Sequence, residues 1–320
     1  MREDSSSIDF LTRVAWLYHK EKMTQDKIAS KLNISRSKVV RLLKKAEERG
    51  IIHVHILSPS YNCLAIEQKL ISTFNLQDAM VVPTNSEENL RQTLGKAAAQ
   101  YLERNLKSED LLAVGWGRTI FEIANFIRPN NIKNLRVVTL HGGLTTSLYL
   151  NPYDIGGKLA SIFNGQCYYI HAPHIAASEE LCRSLKSDSM IKQTLDMAKL
   201  ASYSLVGIGE TSADSTLAKM GYINLTEMEK LRQQQAVGNV LGQFFNIKGE
   251  EIDCDLHSRI VALSLKDLKK MKNVIGIAGG KDKIKAIIGA LHGGYIKILI
   301  TDERTAKEVM NLERNVLKEN

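Results

Sequence analysis

The sequence predicts an α/β protein in which an N-terminal helix-turn-helix domain precedes a larger, mostly parallel α/β domain. Three observations predict it. Residues 8–52 hold three amphipathic runs, with a tight turn between the second and third. Beyond residue 75, short apolar runs alternate with helical patterns, the order expected of a parallel sheet covered on both faces. The basic excess is concentrated at one end: residues 1–57 carry 12 basic and 7 acidic side chains, net +5, whereas residues 58–320 carry 31 and 28, net +3.

The elements follow in order. IDFLTRVAWLYHKEK reads as a first amphipathic helix. Thr24 is placed to cap a short second helix with Ile28, Ala29 and Leu32 on one face, and Asn33 breaks it. Ser35 caps a third helix whose Val39, Leu42, Leu43 and Ala46 fall at i, i+3, i+4 and i+7, a single stripe that must be buried. Gly50 suits its C-terminus, and IIHVHIL alternates as a strand. After Ser58-Pro59, YNCLAIEQKLISTFNLQDAMVVP reads as a linking helix with Leu64, Leu70 and Ile71 inward, then a strand. The predicted division is therefore 1–57 for the helix-turn-helix domain, 58–75 for the linker helix and 76–320 for the α/β domain. Within the last, LLAVGWG from 111, LRVVTLHGG from 135, CYYIHAP from 167, YSLVGIGE from 203, NVIGIAGG from 273 and IKILITD from 296 read as strands.

Composition excludes several classes. At 320 residues and 44% hydrophobic content the chain can bury a large core. Its four cysteines form no C-x-x-C pair, and MREDSSSIDF has no apolar core of a signal peptide, so a disulfide framework and secretion are not expected. No run approaches the roughly 18 apolar residues of a membrane span. A cytoplasmic protein without a membrane partner is expected.

A cationic amphipathic third helix after a tight turn is the pattern that enters the major groove of DNA. Arg36, Ser37, Val40 and Arg41 would lie near base edges, with Arg41 suited to guanine and Val40 to a thymine methyl. Lys38, Lys44 and Lys45 would lie nearer phosphates, and Thr24, Gln25 and Ser35, at the two helix starts, complete the candidate contact set. A solvated cationic face in a small helical bundle would show the same charge but would not require the cap, turn and stripe to agree.

In the α/β domain the chemistry is expected at the carboxyl ends of the strands, where glycine admits a ligand close to backbone and helix starts offer amides to anions. Gly115-Trp116-Gly117-Arg118-Thr119 has the form of a phosphate cradle, although tight strand-to-helix turns alone also select glycine. His141-Gly142-Gly143, Gly207-Ile208-Gly209-Glu210 and Gly279-Gly280 with Lys283 repeat the pattern at other strand ends. Neither G-x-G-x-x-G nor G-x-x-x-x-G-K-[ST] is present, so dinucleotide and P-loop sites are not supported. His171 and His174 lack an adjacent third ligand, so no metal is expected, and no cofactor is.

Taken in order, RVAWLYHKEKMTQDKIASKLNISRSKVVRLLKKA, DLLAVGWGRT, the HGG turn, LVGIGE, AVGNVLGQFFNIKGE and IAGGKDKIKAIIGALHGGYIKILITDE resemble the SorC-type sugar-binding transcriptional regulators across essentially the whole chain. Within the family the sequence is most similar to repressors resembling the one that responds to phosphorylated autoinducer-2. The resemblance implies an effector domain related to sugar-phosphate isomerases, a phosphorylated sugar as inducer or corepressor, and a tetramer on operator DNA. It places Arg118 and Thr119 in the phosphate-binding turn, Lys283 as the phosphate-pairing lysine, His141 where some members carry arginine, and Asp154 near sugar hydroxyls. Asn239 departs from the pattern, since relatives usually place Asp or Glu there. Catalysis is not expected: an isomerase needs a positioned acid and base, Glu210-Thr211-Ser212 lacks the histidine of aminosugar-phosphate isomerases, and position 239 does not titrate.

Overall fold

Thr24 and Ser35 sit in extended backbone, and their side-chain oxygens accept the amides of Lys27 at 3.3 Å and Lys38 at 3.2 Å. Each thereby satisfies a donor left without a partner at a helix start. They open α2 (Gln25–Leu32) and α3 (Arg36–Glu48), which follow α1 (Ile8–His19). Asn33, left-handed at φ 52, ends α2 and makes the tight turn. Gly50 at φ 69 ends α3, with its amide bonded to Glu47 O at 3.0 Å. Phe10, Leu11, Val14 and Leu17 of α1 pack on Ile28 and Ala29 and on the Val39, Leu42, Leu43, Ala46 stripe.

The computed structural model describes residues 8–52, 61–84, 88–128, 132–144 and 151–319. The strand expected from Ile51 lies outside them from His53 onward. The chain divides into two compact units, Met1–Ser58 and Pro59–Asn320.

The second unit runs α4 (Tyr61–Phe74), β1 (Asp78–Val82), α5 (Leu90–Asn105), β2 (Leu111–Val114), α6 (Arg118–Phe126), β3 (Arg136–Thr139), α7 (Pro152–Ile162) and β4 (Gln166–Tyr168). It continues with α8 (Glu179–Ser187), α9 (Ser189–Lys199), β5 (Tyr203–Gly207), β6 (Gly209–Glu210), α10 (Thr216–Lys219), α11 (Leu225–Gln233), β7 (Gly238–Val240) and β8 (Gln243–Phe245). It closes with α12 (Asp255–Arg259), α13 (Leu265–Lys270), β9 (Val274–Ile277), α14 (Ile284–His292), β10 (Ile298–Asp302) and α15 (Glu303–Glu319).

Seven strands form a parallel sheet in the order β1-β10-β9-β5-β2-β3-β4. Alternate side chains feed two cores. Leu111 and Ala113 join one with α4, α9 and α14, while Leu112 and Val114 join the other with α5, α6 and α7. Burial on both faces explains why these strands read as unbroken apolar runs. From β2 the chain steps outward to β3 and β4; from β5 it steps the opposite way to β9 and β10. The reversal opens a crevice beyond the carboxyl ends of neighbouring strands.

Two features differ from the sequence reading. The helix read as a linker, α4, packs into the core of the second unit through Cys63, Ile66 and Leu70, whereas Leu64 is 54% exposed. The buried stripe runs i, i+3, i+7 from Cys63, one position out of phase with Leu64. A small antiparallel sheet, β6-β7-β8, stands beside the large one and pairs Gly209 with Asn239.

Candidate functional site

A cleft of about 550 Å³ lies beyond the carboxyl ends of β2, β5 and β9. Gly117, Arg118 and Thr119 line it from the turn into α6, Gly207 to Glu210 from β5 and β6, Asn239 from β7, and Gly279, Gly280 and Lys283 from the turn after β9. Arg91, in the first turn of α5, adds a further cation, and Ser212, Asp214, Ser215 and Lys219 come from the segment leading into α10. These are the switch-point strand ends, where backbone can approach a ligand.

Lys283 is held there by a bond from its Nζ to Ile208 O at 2.8 Å. Burial holds its ammonium below the ordinary lysine pKa; Glu210 pulls the other way, and Arg118 and Arg91 press it further down. Arg118 is lowered by burial and then by Arg91. Mutual repulsion of this kind means that three cations face one space, which an anion entering it would relieve. The start of α6 adds to the same field, because its N-cap, Gly117 at φ 136, supplies no side-chain acceptor for the first amides. Glu210 is 8% exposed and accepts the Ser212 amide. Asn239, 4% exposed, lies over Gly209, where an added Cβ would come within 2.4 Å of its Nδ2. Glycine is required at 209 for that contact.

The second unit matches the family described as "Putative sugar-binding domain" over residues 58–311, and residues 12–56 match the MarR family. The transcriptional regulator LsrR of Escherichia coli O157:H7 is 35% identical over 310 residues, covering 94% of each chain. This chain belongs to the SorC-type sugar-binding transcriptional regulators. The deoxyribonucleoside regulator of Bacillus subtilis is 32% identical over 301 residues, 93% of this chain and 96% of that one. The crystal structure of the full-length sorbitol operon regulator SorC from Klebsiella pneumoniae superposes with a TM-score of 0.72 at 25% identity, over 94% of this chain and 98% of that one. As a SorC-type regulator the chain joins a DNA-binding helix-turn-helix to a sugar-binding effector domain.

In this SorC-type regulator, Gly117, Arg118, Thr119, Asn239, Gly279, Gly280 and Lys283 are brought together on the cleft. Gly115, His141, Gly142, Gly143 and Asp154, expected with them, do not line it. Gly115 is buried, its amide bonded to Leu205 O at 2.8 Å. An added Cβ at Gly142 would fall 2.3 Å from Ala172 O and one at Gly143 2.7 Å from the Tyr153 ring, so these glycines serve close packing. Asp154 is exposed on α7. His141 is fully buried, its Nδ1 2.8 Å from Gly142 O, its ring 4.6 Å from that of His174 and 6.1 Å from that of Trp116. Trp116 lines the cleft, so the histidine pair lies behind its ring. Among the described residues no three His, Cys, Asp or Glu side chains are placed to share a metal ion.

Arg91, Glu88 and the Asp214–Lys219 segment escaped the sequence reading, whereas Glu210 was read as part of the Gly207-Ile208-Gly209-Glu210 turn. Arg91 did leave a signal: a cation in the first turn of a helix opposes the macrodipole and calls for another reason to be there.

On α3, Ser37, Val40, Arg41 and Lys44 are exposed on the face opposite the core, with Val40 47% exposed. Lys38 and Lys45 flank them, half-buried. Arg36 turns back toward α2, its Nε 3.5 Å from Gln25 Oε1 and 3.7 Å from Asp26 Oδ1. Among the described residues no helix is long and apolar enough to cross a membrane.

Proposed function

We propose that this chain is a repressor of a carbohydrate utilisation operon, acting as a tetramer on operator DNA and controlled by a phosphorylated sugar bound in the cleft. The observation that carries the reading is the convergence of Arg91, Arg118 and Lys283 beside the uncapped start of α6. An unphosphorylated sugar would bring no anion of its own and would leave those cations facing only the protein's carboxylates, of which Glu210 and then Asp282 raise Lys283. A phosphate group fits both the charge and the amides. The names of the relatives, which include a sorbitol operon regulator and a deoxyribonucleoside regulator, support carbohydrate control. The exposed face of α3 supplies the candidate operator contacts, with Arg41 reading a base and Lys44 meeting phosphate.

Calorimetric titration with a panel of sugar phosphates and their unphosphorylated counterparts tests it. Phosphorylated members should bind, and Lys283→Ala should weaken them about 10- to 150-fold, the loss of a charge-assisted hydrogen bond of roughly 1.5–3 kcal/mol. Operator binding without effector should be unchanged. An unphosphorylated sugar that binds as well as its phosphate would refute the reading.

A further inference from the structure

A buried carboxylate stands behind the glycine turn that presents Lys283. Asp302, the last residue of β10, is 2% exposed and accepts from Thr84 Oγ1 at 2.8 Å, from the Thr305 amide at 3.2 Å and from Thr305 Oγ1. The Thr305 hydroxyl, also 2% exposed, has a second bond: it accepts the Gly280 amide at 2.7 Å. A chain of hydrogen bonds thus runs from the carboxylate through one hydroxyl to the backbone of the cleft rim.

Capping of α15 accounts for only part of this. A carboxylate just before a helix accepts an amide of the first turn, as Asp302 does from Thr305. Capping does not require the hydroxyl to reach a different loop 25 residues earlier in the chain. The turn it reaches is closely packed and takes a backbone conformation that glycine adopts freely and other residues rarely do. Gly280 has φ 100, and an added Cβ at Gly279 would lie 2.5 Å from Asp302 Oδ1. Gly280 O in turn accepts the Lys283 amide at 3.0 Å. The position of Gly280 therefore sets where the backbone of Lys283 begins, while the bond to Ile208 O holds the far end of its side chain.

We infer that Asp302 and Thr305 are positioning residues of the anion seat, holding the Gly279-Gly280 turn so that Lys283 meets the phosphate. The inference rests on the phosphate reading of the cleft. It also assigns the Gly280 amide to the fold, since its N–H already donates to Thr305 Oγ1. Positioning matters at this range because a charge-assisted bond is short and directional, and a supporting shell that loosens by a fraction of an ångström weakens it.

Inorganic phosphate is the probe, titrated into the full chain at constant ionic strength and well below the melting temperature. Thr305→Val keeps shape and removes the hydroxyl; its phosphate Kd should rise about tenfold, a change of 1.4 kcal/mol. Thr305→Ser restores the hydroxyl and should bind within about twofold of wild type, which a loss due only to weakened packing would not produce. Thr84→Val, which removes one donor to Asp302, should raise Kd about threefold and serves if Thr305→Val does not fold. Wild-type affinity in Thr305→Val, in Thr84→Val where that variant has to stand in, or an equal loss in Thr305→Ser and Thr305→Val would overturn the inference and leave the phosphate seat standing. Absence of phosphate binding by the wild type would overturn the seat and the inference together.

Discussion

Among the described histidines, His257 and the buried pair His141 and His174 are those whose protonation the fold opposes. Burial lowers His257 and His141 to about 4, and burial followed by the neighbouring His141 takes His174 well below the ordinary value. His257 Nε2 accepts the Phe244 amide at 2.6 Å, a bond only the neutral ring can make. A depressed folded pKa means that stability is fully present above the unfolded value near 6.5 and is lost as pH falls toward 4. His257→Gln keeps an acceptor and removes the titration. Its unfolding free energy should therefore fall less between pH 7 and pH 4 than that of wild type, by no more than about 3 kcal/mol. Identical acid dependence by urea unfolding would count against His257 as a contributor.

Asn239 carries the other prediction at this scale. A carboxylate there would accept from sugar hydroxyls and repel a nearby phosphate, whereas the amide donates, accepts and carries no charge. Asn239→Asp should leave operator binding unchanged and alter the ranking of sugar phosphates by about 1 kcal/mol or more. An unchanged ranking would remove Asn239 from the ligand-facing set. The cleft residues were legible where glycine and charge coincide, as at Gly117-Arg118-Thr119 and Gly279-Gly280 with Lys283. His141-Gly142-Gly143 carries the same signature, yet its glycines answer to Ala172 and Tyr153. Glycine marks a close approach without saying to what.

Among elements, α3 was read most completely, because cap, stripe and charge repeat one geometry that local bonds enforce. The parallel strands were legible for the reason given by their two-sided burial. The sheet β6-β7-β8 was not: its strands are two or three residues long, too short to show a period. α3 also has the clearest test. Arg41→Ala should cost about 1–3 kcal/mol on operator and relax one base-pair preference, whereas Lys44→Ala should weaken all DNA alike and lower the salt slope by about one phosphate contact. Fluorescence anisotropy on operator and random DNA across salt concentrations separates them. Equal losses on both DNAs for Arg41→Ala would remove its role as a reader.

At the scale of the whole molecule, most of the charge excess lies in the helix-turn-helix end while the cleft belongs to the second unit. Regulation then requires a coupling free energy between a DNA site and a sugar site on one chain. Coupling between sites is typically about 1–3 kcal/mol, or roughly 5- to 150-fold in affinity. If a sugar phosphate changes operator Kd by some factor in that range, operator DNA must change the Kd of that sugar phosphate by the same factor, because both describe one thermodynamic cycle. Anisotropy of operator with and without saturating sugar phosphate gives one factor; calorimetry of the sugar phosphate with and without operator gives the other. Lys283→Ala should weaken ligand binding without altering the salt slope on DNA, since the slope counts phosphates met by the basic unit. A ligand that binds tightly and shifts neither equilibrium would show that the two units are joined by the chain but not by energy.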